Sequence, residues 1–195
     1  MTDQSSLISE YKKQVIDAVD ALPAAAIDRA VDIIWGCYER GGTIFTCGNG
    51  GSAATASHFT GDIVKGLSHA DNKRFKSICL SDNLPGMMAV ANDISYEEIF
   101  LQPLMNFMQA GDVVIGFSGS GNSPNVLKAI EYGNDNGAVT IGICGFGGGK
   151  LNQMAQHSVH AAIMDMEQSE DLHMFVVHLM KKIFMQRLGM EGCAA

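Results

Sequence analysis

Four side chains that can transfer protons or bind metal ions lie in two short stretches of the 195-residue sequence. His58 and Asp62 are four residues apart, so a helix would place this imidazole and carboxylate on one face. Glu170 and His178 belong to a later segment with an apolar stripe at helical spacing. Imidazoles and carboxylates together suit general acid–base chemistry or a divalent cation. The first pair alone is more typical of an ordinary surface helix, and the second segment shifts the balance toward chemistry.

The spacing of the second pair leaves two arrangements open. Eight residues of regular helix separate Glu170 and His178 by about 12 Å along the axis, which is long for two ligands of one metal ion. Either Glu170 lies at an irregular helix start and reaches inward, or the two side chains act at different ends of a substrate. His173, one turn from Glu170, is a further histidine that can substitute for either partner.

Two segments rich in glycine and serine have the composition of phosphate-binding loops. The first, Cys47-Gly-Asn-Gly-Gly-Ser52, follows a β-type apolar run and opens an alanine-rich helix. The second, Ser118-Gly-Ser-Gly-Asn-Ser123, places three hydroxyls around a turn before another helix. Hydroxyls and the backbone N–H groups of a helix start can surround phosphate oxygens without a lysine. The second segment alone is equally compatible with a turn capped by Ser123, but the two segments together favour a phosphate site.

The elements that position these residues alternate between short β-branched runs and helical segments. The predicted strands are 43–47, 76–80, 113–117, 139–144 and 158–163. Their apolar runs are continuous, as in parallel strands covered on both faces. Predicted helices cover 52–65, 85–108, 123–134, 151–156 and 169–188, and two more precede the first strand. We therefore expect an α/β fold, a three-layer doubly wound five-stranded parallel sheet, in one domain (1–195) with N-terminal helices in 1–40 and the core in 41–190.

Composition restricts the partners and the compartment. The formal net charge of −8 argues against nucleic acid, because binding to a phosphate backbone needs a cationic face. No window approaches the ~18 apolar residues of a membrane span, and the polar start Met1-Thr-Asp-Gln is unlike a signal peptide. We expect a cytoplasmic protein with no membrane partner. Five cysteines without a Cys-x-x-Cys pair predict reduced thiols.

The ordered set of motifs resembles the sugar isomerase (SIS) family, from about residue 5 to residue 188. The segments that carry the similarity are Cys-Gly-Asn-Gly-Gly-Ser-Ala-Ala with the following His-Phe, Ala91-Asn-Asp93, Gly111-Asp-Val-Val-Ile-Gly, Ser-Gly-Asn-Ser-Pro-Asn-Val and Gly145-Phe-Gly-Gly-Gly149. Within the family, the pattern is most similar to the phosphoheptose isomerases and their replication-initiator-binding relatives.

This resemblance implies an aldose–ketose isomerase that acts on a phosphorylated sugar, with sedoheptulose 7-phosphate as the expected substrate. It also implies a homotetramer with active sites between subunits. The residues implied to bind the sugar phosphate are Asn49, Gly50, Gly51, Ser52, Ser118, Gly119, Ser120 and Ser123, and Asp93 would hold a substrate hydroxyl. His58, Asp62, Glu170 and His178 match the family's metal cluster, so Zn²⁺ or another divalent ion is the expected cofactor. Asp62, Glu170 and His178 would also carry the catalysis.

Four positions depart from the family pattern. Asp62 stands where glutamate is usual, and Glu170 stands where glutamine is usual. Gly119 replaces a threonine of the phosphate loop, and Gly66 lies near the position of an arginine. Aspartate is one methylene shorter than glutamate, and a general base must come within roughly 2.6–3.2 Å of its proton. These departures keep a second hypothesis open, a non-catalytic phosphosugar sensor or protein-binding adaptor.

Overall fold

The computed structural model describes residues 4–68 and 73–190. The strands are β1 (Thr43–Cys47), β2 (Lys76–Cys79), β3 (Val113–Ser118), β4 (Val139–Cys144) and β5 (His157–His160). The α-helices are α1 (Gln4–Asp20), α2 (Ala24–Arg40), α3 (Gly51–Gly61), α4 (Leu84–Asp93), α5 (Leu101–Phe107), α6 (Pro124–Asp135), α7 (Leu151–Met154) and α8 (Met166–Arg187). A π-helical turn (Asp62–Gly66) follows α3, and a 3₁₀ turn (Tyr96–Glu98) precedes α5.

The five strands form one parallel sheet in the order β2-β1-β3-β4-β5. This arrangement confirms the predicted five-stranded parallel α/β fold. The chain winds outward in both directions from β1 and β3, so the topological switch point lies between these two strands. Ligands of such sheets bind beyond the carboxyl ends of the strands at the switch point. The two glycine- and serine-rich loops follow β1 and β3 and therefore meet there.

Both faces of the sheet are covered by apolar layers, which explains the continuous hydrophobic strands. On one face, α2, α3 and α8 pack buried side chains such as Ile34, Phe59 and Phe184. On the other face, α5, α6 and α7 contribute Leu104, Ile130 and Leu151. Side chains along a strand alternate between the two layers. The packing of α3 beside α8 on one face brings the two histidine-bearing segments together.

The predicted helix over 85–108 is wrong, because this region is divided into two helices. The side chain of Asn83 accepts a hydrogen bond from Gly86 N and caps α4, which ends at Asp93. Ser95 is extended, with φ −169° and ψ 159°, so the helix cannot continue through it. The last helix also begins three residues earlier than predicted, because Asp165 caps it by accepting from Gln168 N.

The two N-terminal helices differ in burial. α2 packs Val31 and Ile34 into the core, whereas α1 buries none of its residues. Tyr11 of α1 donates a hydrogen bond to Asp171 of α8, which fixes α1 against the last helix. Within the ranges 4–68 and 73–190, no helix combines the length and apolar character needed to cross a bilayer. The four described cysteines are free and buried, as the prediction of reduced thiols requires.

Candidate active site

The loop after β1 is shaped for close backbone packing at the start of α3. A Cβ at Gly48 would lie 2.7 Å from the backbone of Ser52, and Gly50 has a φ of +54°, so both positions require glycine. The first N–H groups of a helix have no partner inside it. Those of Gly51 and Ser52 make no hydrogen bond to any other described residue. They are therefore available to an anion at the amino end of α3.

The loop after β3 turns its hydroxyls toward each other instead of capping α6. The Oγ atoms of Ser118 and Ser123 lie 3.2 Å apart, and Ser118 Oγ accepts from Gly121 N. Ser123 precedes α6 but makes no side-chain capping bond, so the simple capped turn is not what forms. Ser120 Oγ accepts from Asn122 N. The loop thus holds three hydroxyls near the carboxyl end of β3.

An amide pair joins the two loops. Asn49 Nδ2 donates to Asn125 Oδ1, and Asn125 Nδ2 donates back to Asn49 Oδ1, both at 2.9 Å. The hydroxyl of Tyr96 donates to the same Asn49 oxygen. Asn125 is only 1% exposed. Sequence reasoning assigned Asn49 to the site but missed Asn125 and Tyr96, although Asn125 lies within the Ser-Gly-Asn-Ser-Pro-Asn-Val motif.

His58, Asp62 and His178 form one compact group. One possible ligand atom from each residue lies within 4.8 Å of the others. The Nε2 atoms of His58 and His178 are 2.8 Å apart, and His58 Nε2 is 3.4 Å from Asp62 Oδ2. The π-helical turn begins at Asp62 and directs its carboxylate toward α8. Three of the four side chains predicted to act together are therefore adjacent.

The atoms of this group fit a divalent cation. Asp62 Oδ2 is buried and has no hydrogen-bond donor, which is unusual for a carboxylate oxygen. It lies 3.4 Å from His58 Nε2, which is 2.8 Å from His178 Nε2. Two imidazole nitrogens with one carboxylate oxygen are ligands that zinc prefers. Catalytic zinc sites use three such protein ligands and leave a fourth position for water or substrate. His58, Asp62 and His178 therefore meet the chemical requirement for a resident metal ion.

Glu170, the fourth predicted ligand, lies elsewhere in the site. α8 is helical from Met166 onward, so the irregular helix start is wrong, and Glu170 and His178 are two full turns apart. The Glu170 carboxylate lies directly against Gly51, where even a Cβ would collide with it. It is thus placed at the amino end of α3, beside the unpaired N–H groups, and outside the three-residue group.

Two other predicted candidates lie away from this group. The imidazole of His173 is completely buried, and burial lowers its pKa to about 4. It cannot substitute for either partner, because its ring is enclosed in the core. Asp93 ends α4 on the surface and accepts a hydrogen bond from Asn92. Within residues 4–68 and 73–190, no hydrogen bond or ion pair joins Asp93 to the serine hydroxyls.

Side chains of α8 fill the spaces above two glycines that depart from the family pattern. A Cβ at Gly119 would lie 2.5 Å from Met166 Sδ, so a threonine there would displace Met166. A Cβ at Gly66 would lie 3.0 Å from Lys181 Cε. Lys181 Nζ is 2.5 Å from Asp62 Oδ1. Sequence reasoning missed Lys181, although its position three residues after His178 places it on the same side of α8.

The buried thiols near the strand ends are not nucleophiles. Cys47 lies at the base of the first loop, and burial raises the pKa of its thiol far above the ordinary value. Burial also raises the pKa of Cys144, at the end of β4, to about 12. A thiol must ionise to attack a substrate, so these cysteines serve packing.

The chain is similar to known proteins along most of its length. The family model described as SIS domain matches residues 9–145. A phosphoheptose isomerase from Helicobacter hepaticus is 35% identical over 86% of this chain and 85% of that protein. One from Citrifermentans bemidjiense is 31% identical over 92% and 93%. Among solved structures, a phosphoheptose isomerase from Francisella tularensis has a TM-score of 0.85 and 27% identity, over 95% of this chain and all of that chain.

Proposed function

Because the chain belongs to the SIS domain family, in its phosphoheptose isomerase branch, we propose that it is an aldose–ketose isomerase of a phosphorylated sugar. The substrate that we propose is sedoheptulose 7-phosphate, and the product is an aldoheptose 7-phosphate. The observation that carries this proposal is the convergence of His58, Asp62 and His178 beside two loops suited to phosphate. A binding module alone has no need of such a group.

The phosphate would be held at the switch point between β1 and β3. The N–H groups of Gly51 and Ser52 would point at its oxygens from the amino end of α3. Hydroxyls of the second loop would complete the pocket, namely those of Ser118, Ser120 and Ser123. Asn49 would keep the two loops at a fixed separation through its pair with Asn125. Anchoring this unreactive end of the sugar would fix the position of the reacting carbons.

Asp62 is the base that we propose for the proton transfer. Its Oδ2 is buried, lacks a donor and lies 3.4 Å from His58 Nε2, so it can accept a proton from C1 of the ketose while Oδ1 stays paired with Lys181. The enediolate that forms carries its charge on O2. The proton taken from C1 is delivered to C2, and the hydroxyl proton of O1 is transferred to O2. No net proton is consumed. His178, which is exposed beside Asp62, would move the proton between the two oxygens.

His58 and His178 would also hold the divalent cation, together with Asp62 while its carboxylate is ionised. A bound divalent ion polarises a carbonyl or hydroxyl oxygen of the sugar and stabilises negative charge on it. His58 and His178 would present Nε2 to the ion, which requires both rings to be neutral with their hydrogen on Nδ1. Glu170 would stay at the amino end of α3 and outside this ligand set.

We further propose a cytoplasmic homotetramer in which residues 1–195 act as one domain. The exposed apolar side chains Leu7, Ile8 and Ile16 on α1 support an assembly, because α1 buries none of its residues within one subunit. The family resemblance supports the number of subunits.

The test is direct observation of the product. The purified chain is incubated with sedoheptulose 7-phosphate and Zn²⁺, and the anomeric protons of an aldoheptose are followed by NMR. We expect these signals to appear with the metal and to fade after treatment with a chelator. A chain that binds the sugar phosphate but produces no aldoheptose with Zn²⁺, Mn²⁺, Co²⁺ or Ni²⁺ would contradict the proposal and favour the adaptor hypothesis.

A further inference from the structure

A lysine ammonium lies against the carboxylate of the proposed metal-binding group. Lys181 Nζ is 2.5 Å from Asp62 Oδ1, while the other oxygen of the same carboxylate, Oδ2, faces His58. The side chains of Lys181 and Asp62 are 26% and 14% exposed, so the ion pair is largely shielded from water. Screening by solvent is correspondingly weak, and the charge of Lys181 acts on the whole group.

The absence of a side chain at Gly66 allows this position of the lysine. Lys181 Cε and Nζ lie 3.0 Å and 3.3 Å from the place of a Cβ on that residue. The lysine therefore packs over the bare Cα of the π-helical turn that carries Asp62. A larger residue at position 66 would push the ammonium away from the carboxylate. The position of the Lys181 side chain is thus fixed by packing over Gly66 and by the ion pair with Asp62.

Lys181 changes the charge that the group offers to a cation. Two neutral imidazoles and one carboxylate carry a single negative charge, and the ammonium cancels it. The Glu170 carboxylate does not restore it at the group, because that carboxylate lies against Gly51. A divalent ion that binds Asp62 through Oδ2 lies across the carboxylate from the ammonium. An ion that binds through Oδ1 must displace the ammonium from that oxygen.

We propose that Lys181 competes with the divalent cation for Asp62 and so keeps the metal affinity of this site low. The lysine acts on the metal through Asp62 and is therefore a positioning residue. It also orients the carboxylate by a hydrogen bond, an effect that would favour metal binding. Repulsion between a unit charge and a divalent ion across one shielded carboxylate exceeds the gain from orienting that carboxylate. Removal of the charge should therefore tighten metal binding.

Three substitutions separate charge from hydrogen bonding. Lys181→Gln keeps a donor for Asp62 Oδ1 without the charge, Lys181→Met removes both, and Lys181→Arg keeps both. The affinity of each metal-free protein for Zn²⁺ is measured by competition with a chromophoric chelator at constant pH and ionic strength. We expect Lys181→Gln and Lys181→Met to bind Zn²⁺ about 10-fold or more tightly than the original chain, and Lys181→Arg to stay within about threefold. His58→Ala, combined with Lys181→Gln, should abolish the tight binding and so locate it at this group.

Two results would overturn the proposal. One is equal or weaker Zn²⁺ binding by both neutral variants, which would make Lys181 a mere support for Asp62. The other is no Zn²⁺ binding by any of the four proteins. The proposal rests on the proposed function for the identity of the site, but its readout is affinity. Isomerase activity is measured separately, so a chain that binds zinc as expected and forms no product would contradict the proposed function alone.

Discussion

The Nε2 atoms of His58 and His178 lie 2.8 Å apart, although 120 residues separate the two histidines in the chain. The rings meet almost edge to face, at an angle of 74°. Only one of these nitrogens can donate in a hydrogen bond between them, so the contact requires that at least one ring lacks a hydrogen at Nε2. Protonation of both rings would place two donors against each other. The pair is therefore suited to accept a proton or a cation between its rings.

Substitution of Asp62 by asparagine should stop catalysis and leave sugar-phosphate binding nearly intact. The amide keeps the shape of the side chain but cannot accept the proton from C1. We expect kcat to fall about 10²- to 10⁴-fold, the usual contribution of a general base, with little change in KM. Asp135→Asn, an exposed change at the end of α6, is the matched control. Full activity of Asp62→Asn would show that the base is another group.

Substitution of Glu170 by glutamine should strengthen the binding of the phosphate end. The carboxylate lies against Gly51, at the end of α3 that favours anions, and would repel a phosphate there. We expect the dissociation constant for sedoheptulose 7-phosphate, measured by calorimetry, to fall about 3- to 10-fold, with kcat changed less than about threefold. Glu167→Gln, exposed one turn earlier on α8, is the control. A large loss of kcat would instead make Glu170 catalytic, as the family resemblance implies.

The fold and part of the site were predictable because they depend on local patterns. Continuous β-branched runs identified all five strands, although the strand predicted over 158–163 begins one residue and ends three residues too late for β5. The spacing of His58 and Asp62 correctly placed both side chains on one face, although a π-helical turn begins at Asp62. The broken helix between 85 and 108 was missed, because its apolar periodicity continues through the extended Ser95.

The missed parts of the site depend on contacts between distant segments. Lys181 meets Asp62 across 119 residues, and Asn125 meets Asn49 across 76. No local pattern encodes which side chain of one helix enters the space above a glycine of another. The burial of His173 was equally hidden, because histidine is found at every degree of exposure. These contacts follow from the packing of α8 and α6 on the sheet.

His173 should make the protein less stable in acid. Burial lowers the pKa of this histidine from 6.5 to about 4. Between pH 6.5 and pH 4, the histidine therefore binds a proton in the unfolded chain but not in the folded chain. Stability from this group is complete above pH 6.5 and is lost as the pH falls toward 4, by about 2–3 kcal/mol at pH 4.5. Urea unfolding of the original chain and His173→Met at pH 7 and pH 4.5 measures this loss. The variant should lose correspondingly less stability, and equal losses would contradict the assignment.

The amide pair between Asn49 and Asn125 should couple the stability of the fold to the binding of the phosphate. Each side chain satisfies the other, and Asn125 Oδ1 also accepts from Val126 N, so truncation of either one leaves a polar group without its partner. We expect Asn49→Ala and Asn125→Ala each to lower the free energy of unfolding by about 1–3 kcal/mol. The double variant should lose about 1 kcal/mol less than the sum, because the second truncation removes a group that is already unpaired.

Binding distinguishes this coupling from a purely local defect. Without the pair, the loops after β1 and β3 are no longer held at the separation that one phosphate requires, so either truncation should weaken binding of sedoheptulose 7-phosphate about 10-fold. Asn136→Ala, at the exposed carboxyl end of α6, removes a hydrogen bond of similar size far from both loops and should leave binding unchanged. Additive losses of stability with unaltered binding would mean that the loops keep their separation independently. The combination of non-additive stability and weakened binding instead requires one phosphate site built from both loops, since neither loop alone would respond to truncation of the other's asparagine.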